Sequence, residues 1–121
     1  MADLARLTFK DDERTPIASL EGEIDLSNAR PLMTELIDHV ANSADGMIVD
    51  LSSVSYLDSA GLHMLFELAK LLRRRRQVLT VVIPEGSNLD RVVQLVEMSA
   101  AIPVTRTIAE GVAAIDDLEG K

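Results

Sequence analysis

The sequence contains no cysteine and no tryptophan. Without thiols there is no disulfide, no thiolate metal site and no cysteine nucleophile. That composition fits a reducing compartment, and a cytoplasmic chain is the expectation. Aromatic side chains are nearly missing too, with Phe9, Tyr56 and Phe66 the only three, so the core must be built from Leu, Ile, Val, Met and Ala. The longest apolar runs reach only a few residues, far short of the roughly 20 that a membrane helix needs. Met1-Ala2-Asp3-Leu4 lacks the basic-then-apolar pattern of a signal peptide. Positive charge is scarce: 12 Lys and Arg against 20 Asp and Glu give a formal net charge of −8. Such a surface repels phosphate backbones and anionic lipid, so neither nucleic acid nor insertion into a membrane is expected.

What is present is globular composition, 47% hydrophobic and 26% charged over 121 residues, enough to close one core. The four prolines are scattered, and there is no repeat or linker. A single domain is expected over residues 1–121, with its core in about 5–116.

Residues 4–10 read as a strand with Leu7 and Phe9 on one face, and 11–14 as a polar turn. Residues 17–24 form a second strand, in which Gly22 points to a bulge or a close backbone approach. Ser27 is placed to cap a helix carrying Met33, Leu36, Ile37 and Val40 at helical spacing, with Pro31 in its first turn. Met47-Ile48-Val49 is a buried strand ending at Asp50, and a polar loop over 52–58 leads into a helix over 59–75. Another buried strand spans 78–83. Ser87 to Asp90 reads as a capping box opening a helix through Met98, a short strand covers 104–106, and Thr107 to Glu110 opens a last helix reaching 118. The expected fold is α/β: a mixed, mostly parallel sheet of about five strands with about four helices, in the order β-β-α-β-α-β-α-β-α.

The informative stretch is Asp58-Ser59-Ala60-Gly61-Leu62, which a strand and loop deliver to the start of a helix. Binding sites form at the carboxyl ends of strands in such sheets. Ser59 there meets free backbone N–H groups and the positive helix end, a favourable place for phosphate. On local chemistry alone the plain helix cap is the favoured reading of the same residues, because Asp and Ser cap helices everywhere. Gly61 leaves room for another backbone or ligand to approach.

This stretch resembles the signature of the STAS family of anti-sigma-factor antagonists, and Glu21-Gly22-Glu23-Ile24-Asp25 resembles that family's earlier Gly-Glu-Leu-Asp element. The resemblance covers about residues 5–116 in element order. It implies a regulatory binding module: the unphosphorylated chain binds an anti-sigma factor with serine kinase activity, frees a sigma factor, and is switched off by phosphorylation of Ser59. A phosphatase would reset it. Ala60 stands where many members carry a second hydroxyl. The resemblance also allows another role, as an accessory subunit of a lipid-trafficking ABC-type transport complex.

Asp25, Ser27, Asp58, Ala60 and Gly61 are the expected loop part of the partner surface. On the helix, Leu62, Leu65, Phe66, Ala69 and Leu72 form the stripe expected to face the sheet. Met64, Leu68 and Leu71 form a second stripe, either a wide core face or a docking surface; the adaptable methionine favours docking.

The Arg73-Arg74-Arg75-Arg76 block reads as a solvated helix end that complements the dipole. His39 and His63 lack ligand partners at metal spacing, so no metal or other cofactor is expected. No phosphate-binding loop or catalytic set accompanies Ser59, so an enzyme is not expected. A phospho-Asp receiver domain fits poorly: Asp11-Asp12 imitates its acid pair, but a second strand precedes the first helix and Arg106 stands where a Lys is needed.

Overall fold

The computed structural model describes residues 5–12 and 15–119. Strands β1 (Ala5–Asp12) and β2 (Thr15–Ile24) form an antiparallel hairpin in which Asp12 faces Thr15. The strands continue further than the sequence pattern implied, and Glu13 and Arg14 lie outside the described residues. Then follow helix α1 (Ala29–His39), strand β3 (Gly46–Leu57), helix α2 (Ser59–Arg74), strand β4 (Val78–Val82), helix α3 (Asn88–Leu95), strand β5 (Val104–Thr105) and helix α4 (Ile108–Glu119). The sheet order is β1-β2-β3-β4-β5, with every pair after the hairpin parallel. Fold class and element order match the expectation.

Alternation along β3 divides the core between two faces. Met47, Val49 and Leu51 point into the large cluster with α1, α2 and α3, while Ile48 points to the other side, where Ile17, Val82 and Ile115 of α4 meet it. Fully burying each such side chain contributes about 1.5–3 kcal/mol. At the sheet edge the Phe9 ring stacks on His39, with centroids 3.7 Å apart.

Two further boundaries depart from the sequence reading. Residues 52–57 are not loop but the second half of β3, with Val54 and Leu57 buried and Ser52, Ser53, Ser55 and Tyr56 exposed. Their hydroxyls imitate loop composition, yet β2 pairs with them as far as Ile24 opposite Leu57, whereas pairing with β4 ends at Asp50. The register shifts beside Gly22, whose φ is 93°, as a bulge requires. The second departure is that α3 stops at Leu95, short of Met98. On a continuous helix Met98 would lie half a turn away from Leu89, nine residues and about 900° earlier. A left-handed Glu97 (φ 51°) breaks the helix, and a short 3-10 turn, Met98–Ala100, carries Met98 into the core.

The caps near the last strand are half of what the pattern promised. Ser87 Oγ is buried and makes no hydrogen bond; Asp90 instead accepts from Gly86 N at 2.9 Å and from Arg106 at 2.7 Å. The Gly86 N–H first, then the Arg106 guanidinium, holds the Asp90 carboxyl below the usual carboxylate range. At α4, Thr107 Oγ1 accepts from Glu110 N (3.1 Å), while the Glu110 carboxylate accepts from Arg106 N (2.9 Å), one residue before the usual box partner.

Helix α2 ends in a Schellman motif: Gln77 N donates to Leu72 O (2.8 Å) and Arg76 N to Arg73 O (3.0 Å). The left-handed position belongs to Arg76, φ 62°. A side chain there costs roughly 1–2 kcal/mol, partly offset by glycine's greater freedom when unfolded. Arg76→Gly is therefore expected to stabilise the fold by about 0.5–1 kcal/mol, read as a higher urea midpoint at unchanged slope.

Candidate functional site

The last register pair of β2 and β3, Ile24 with Leu57, sets two loop starts side by side at the carboxyl edge of the sheet. Asp58 N–H donates to Ile24 O at 3.2 Å and extends that contact by one residue. The Asp58 side chain then serves both loops. Its Oδ1 accepts from Gly61 N (3.0 Å), capping α2, and its Oδ2 accepts from Leu26 N (3.2 Å) in the β2–α1 loop.

The β2–α1 loop is wired internally as well. Asp25 O accepts from Asn28 N and Ala29 N, and Asp25 Oδ1 accepts from Ser27 N (2.9 Å) and Ser27 Oγ (2.5 Å). Asn28 Oδ1 accepts from Asp25 N, while Asn28 Nδ2 donates to Glu23 O, both at 2.9 Å. Ser27 is thus not the cap of α1. Asn28 occupies that position, and its amide turns back to hold the loop rather than the helix.

Ser59 is the first residue of α2; it is exposed, and its hydroxyl makes no hydrogen bond with any described residue. The cap is Asp58, which leaves the Ser59 hydroxyl free of a structural duty. Asp25, Ser27, Asp58, Ser59 and Ala60 are therefore gathered at one edge. Asp50 is not: it faces Ser19 and Val82 lower in the sheet, and its Oδ1 accepts from Ser52 N at 3.0 Å. Among the described residues no group of three His, Asp or Glu side chains could hold a metal ion. No helix among them is long and apolar enough to cross a membrane.

Three expected surface residues are corrected. Gly61 is buried, and the close neighbours it accommodates belong to its own chain: an added Cβ would lie 2.4 Å from Leu57 Cδ1 and 3.0 Å from Ile24 Cγ2. Met64 and Leu68 are core residues, 3% and 0% exposed, and Leu71 is half-buried. The buried stripe is Gly61, Met64, Leu65, Leu68, Ala69 and Leu72, with Leu62 and Phe66 half-buried beside it. It is rotated from the expected stripe because α2 packs on the sheet and against α1 together. Leucines flank both solutions, so periodicity alone could not choose between them.

Leu26 was missed, although it is 82% exposed. The signal was there: one large apolar residue within Asp25-Leu26-Ser27-Asn28, otherwise wholly polar. Beside it a groove of about 310 Å³ runs between the helices, lined by Ala29, Arg30 and Met33 of α1 and by Ala60, His63, Met64 and Glu67 of α2.

A model of the STAS domain matches residues 6–111. The chain belongs to the STAS domain family. It is 26% identical over 113 residues to the anti-sigma-F factor antagonist RsfB of Mycobacterium tuberculosis, covering 93% of this chain and 91% of that one. A crystal structure of an anti-sigma factor antagonist from Mycobacterium paratuberculosis superposes with a TM-score of 0.80 at 25% identity, covering 92% of this chain and 93% of the other. The fold is also that of the anti-sigma factor antagonist SpoIIAA in its unphosphorylated form, TM-score 0.71 at 18% identity over 96% and 98% of the two chains.

The packing at Gly61 gives a test of this STAS site's framework. Helix propensity would favour alanine by up to about 1 kcal/mol, but overpacking against Leu57 and Ile24 costs about 1–3 kcal/mol. Gly61→Ala is expected to lower stability by about 1 kcal/mol, measured by urea unfolding.

Proposed function

We propose that the chain is a cytoplasmic anti-sigma factor antagonist that works by partner switching. The unphosphorylated form binds an anti-sigma factor with serine kinase activity and so frees a sigma factor. Phosphorylation of Ser59 breaks the complex, and a phosphatase restores it. The observation that carries this reading is the exposed, uncommitted Ser59 hydroxyl at the first position of α2, directly after a cap made by another residue. The relatives' names, anti-sigma-F factor antagonist and anti-sigma factor antagonist, support the partner class. The role is regulatory binding rather than catalysis.

The chemistry follows from charge. A phosphate adds about −1.5 to −2 at neutral pH. At the first turn of α2 the positive helix end tolerates it. Asp58 already holds the Gly61 N–H, so the phosphate shares the helix end with a carboxylate rather than owning it. A partner surface fitted to a neutral hydroxyl would lose affinity through repulsion and desolvation. No refolding is needed for that loss.

The test is to incubate the protein with its host's kinase-type anti-sigma factors and ATP and map phosphate by mass spectrometry. One phosphate on Ser59 with dissolution of the complex is expected. Ser59→Ala should keep binding, and Ser59→Asp should weaken it about 100-fold, or about 2.7 kcal/mol. Equal binding by both variants, or a stable complex with a transport ATPase and no phosphate, would contradict the proposal and leave Ser59 without a switching role.

A further inference from the structure

Strand β5 is too short to finish the edge of β4. It pairs with Val81 and Val82 only, and Val81 N donates to Pro103 O at 3.1 Å. Below that bond the edge is open. Val78 N donates to Asp45 O on the β3 side, so alternation along the strand turns the N–H and C=O of Leu79 the other way, as it turns those of Val81. Neither a strand nor a side chain among the described residues meets them, although Leu79 is only 3% exposed. Buried backbone groups without partners are rare, and water or a ligand completes them.

Leu79 lines a cavity of about 160 Å³ between the end of α2 and the start of β5. Ala69, Ala101 and Pro103 give it small apolar walls, and Arg73 stands among them. No acidic residue lines it; Asp45 and Glu97, on the flanking segments, are not in its wall. Arg73 Nη2 donates to Ala101 O at 3.4 Å, a long bond that leaves most of the guanidinium unused. Arg74, Arg75 and Arg76 follow on the chain, and none of the four forms an ion pair among the described residues. A cation, a backbone donor and a backbone acceptor therefore meet at one small cavity.

We infer that this cavity captures the free C-terminus of a polypeptide. One carboxylate oxygen accepts from Leu79 N–H, the other pairs with the Arg73 guanidinium, and the last amide N–H of the bound chain donates to Leu79 O. Sheet-edge addition and carboxylate capture are both familiar modes of peptide recognition, and the ionised contacts are the stronger kind of hydrogen bond. The volume equals that of about five waters. It admits one small residue, not a strand running through, and Pro103 bounds it on the β5 side. A free acid such as acetate leaves Leu79 O unmet, which favours a chain end. The alanine and proline walls select a small apolar last side chain. This site lies at the amino end of β4, whereas Ser59 follows the carboxyl end of β3, so it stands apart from the proposed switch.

The experiment titrates the isotope-labelled full chain with N-acetyl-trialanine, whose carboxylate is free, and follows the backbone amides by NMR. The expected result is a saturable shift of the Leu79 amide that the C-terminal amide of the same peptide does not produce. R73Q should weaken binding about tenfold. R74Q, outside the cavity wall, should bind as the wild type does, and both variants should keep their melting temperature because both side chains are exposed. Equal shifts from the acid and the amide would overturn the inference. So would acetate binding as tightly as the peptide, which would make the ligand a small free acid. Equal losses in R73Q and R74Q would replace the site with diffuse attraction to the arginine block. No Leu79 shift with any of these probes would mean that water alone fills the cavity, and the inference would fall. All of these outcomes leave the Ser59 switch untouched.

Discussion

The Asp58 carboxylate ties together what would otherwise be two independent loops. One oxygen satisfies the Gly61 N–H at the start of α2, and the other holds the Leu26 N–H in the β2–α1 loop. Sheet register makes this possible, because β2 and β3 run in parallel to Ile24 and Leu57, well past the end of β4. Orphan N–H groups at a helix start need acceptors, and an aspartate reaches them well. Here the same side chain also fixes the neighbouring loop, so Ser59 and Leu26 are presented from one frame.

On the proposed reading, that arrangement separates structure from switching. Had Ser59 been the cap, phosphorylation would have removed a structural hydrogen bond and changed stability along with charge. With Asp58 as the cap, Ser59 stays exposed, and a phosphate added there would act mainly on a docked partner. Gly61 contributes from below by allowing Leu57 and Ile24 to pack against the first turn. Leu65, Leu68 and Leu72 then anchor the helix against the sheet with no exposed surface. The proposed acceptor is thus held on the first turn of a packed helix and stays exposed.

Much of this was legible in the sequence, for identifiable reasons. Alternating strand and helix patterns gave the β-β-α-β-α-β-α-β-α order, because apolar runs such as Met47-Ile48-Val49 and breakers such as Pro84 are local signals. The place of Asp58 and Ser59 at a strand-to-helix junction was legible from the motif. Three things were hidden. The serines of β3 read as loop because pairing with β2, a tertiary event, is what makes them strand. The face of α2 could not be chosen while Leu62 and Met64 competed as edges of one broad stripe; packing against α1 decided it. Leu26 was overlooked because a single exposed leucine carries no periodicity, and only the hydrogen bond from its N–H to Asp58, 32 residues away, gives it a fixed place.

The dependence of both loops on Asp58 is open to direct measurement by amide hydrogen exchange in the wild type and Asp58→Ala, with the core amides of β3 as reference. Exchange at Leu26 and Gly61 is expected to accelerate together, beyond the change in the β3 reference, with a stability loss of about 1–2 kcal/mol. Faster exchange at Gly61 with Leu26 unchanged would show that Asp58 is only a helix cap, and that the β2–α1 loop holds its shape without it.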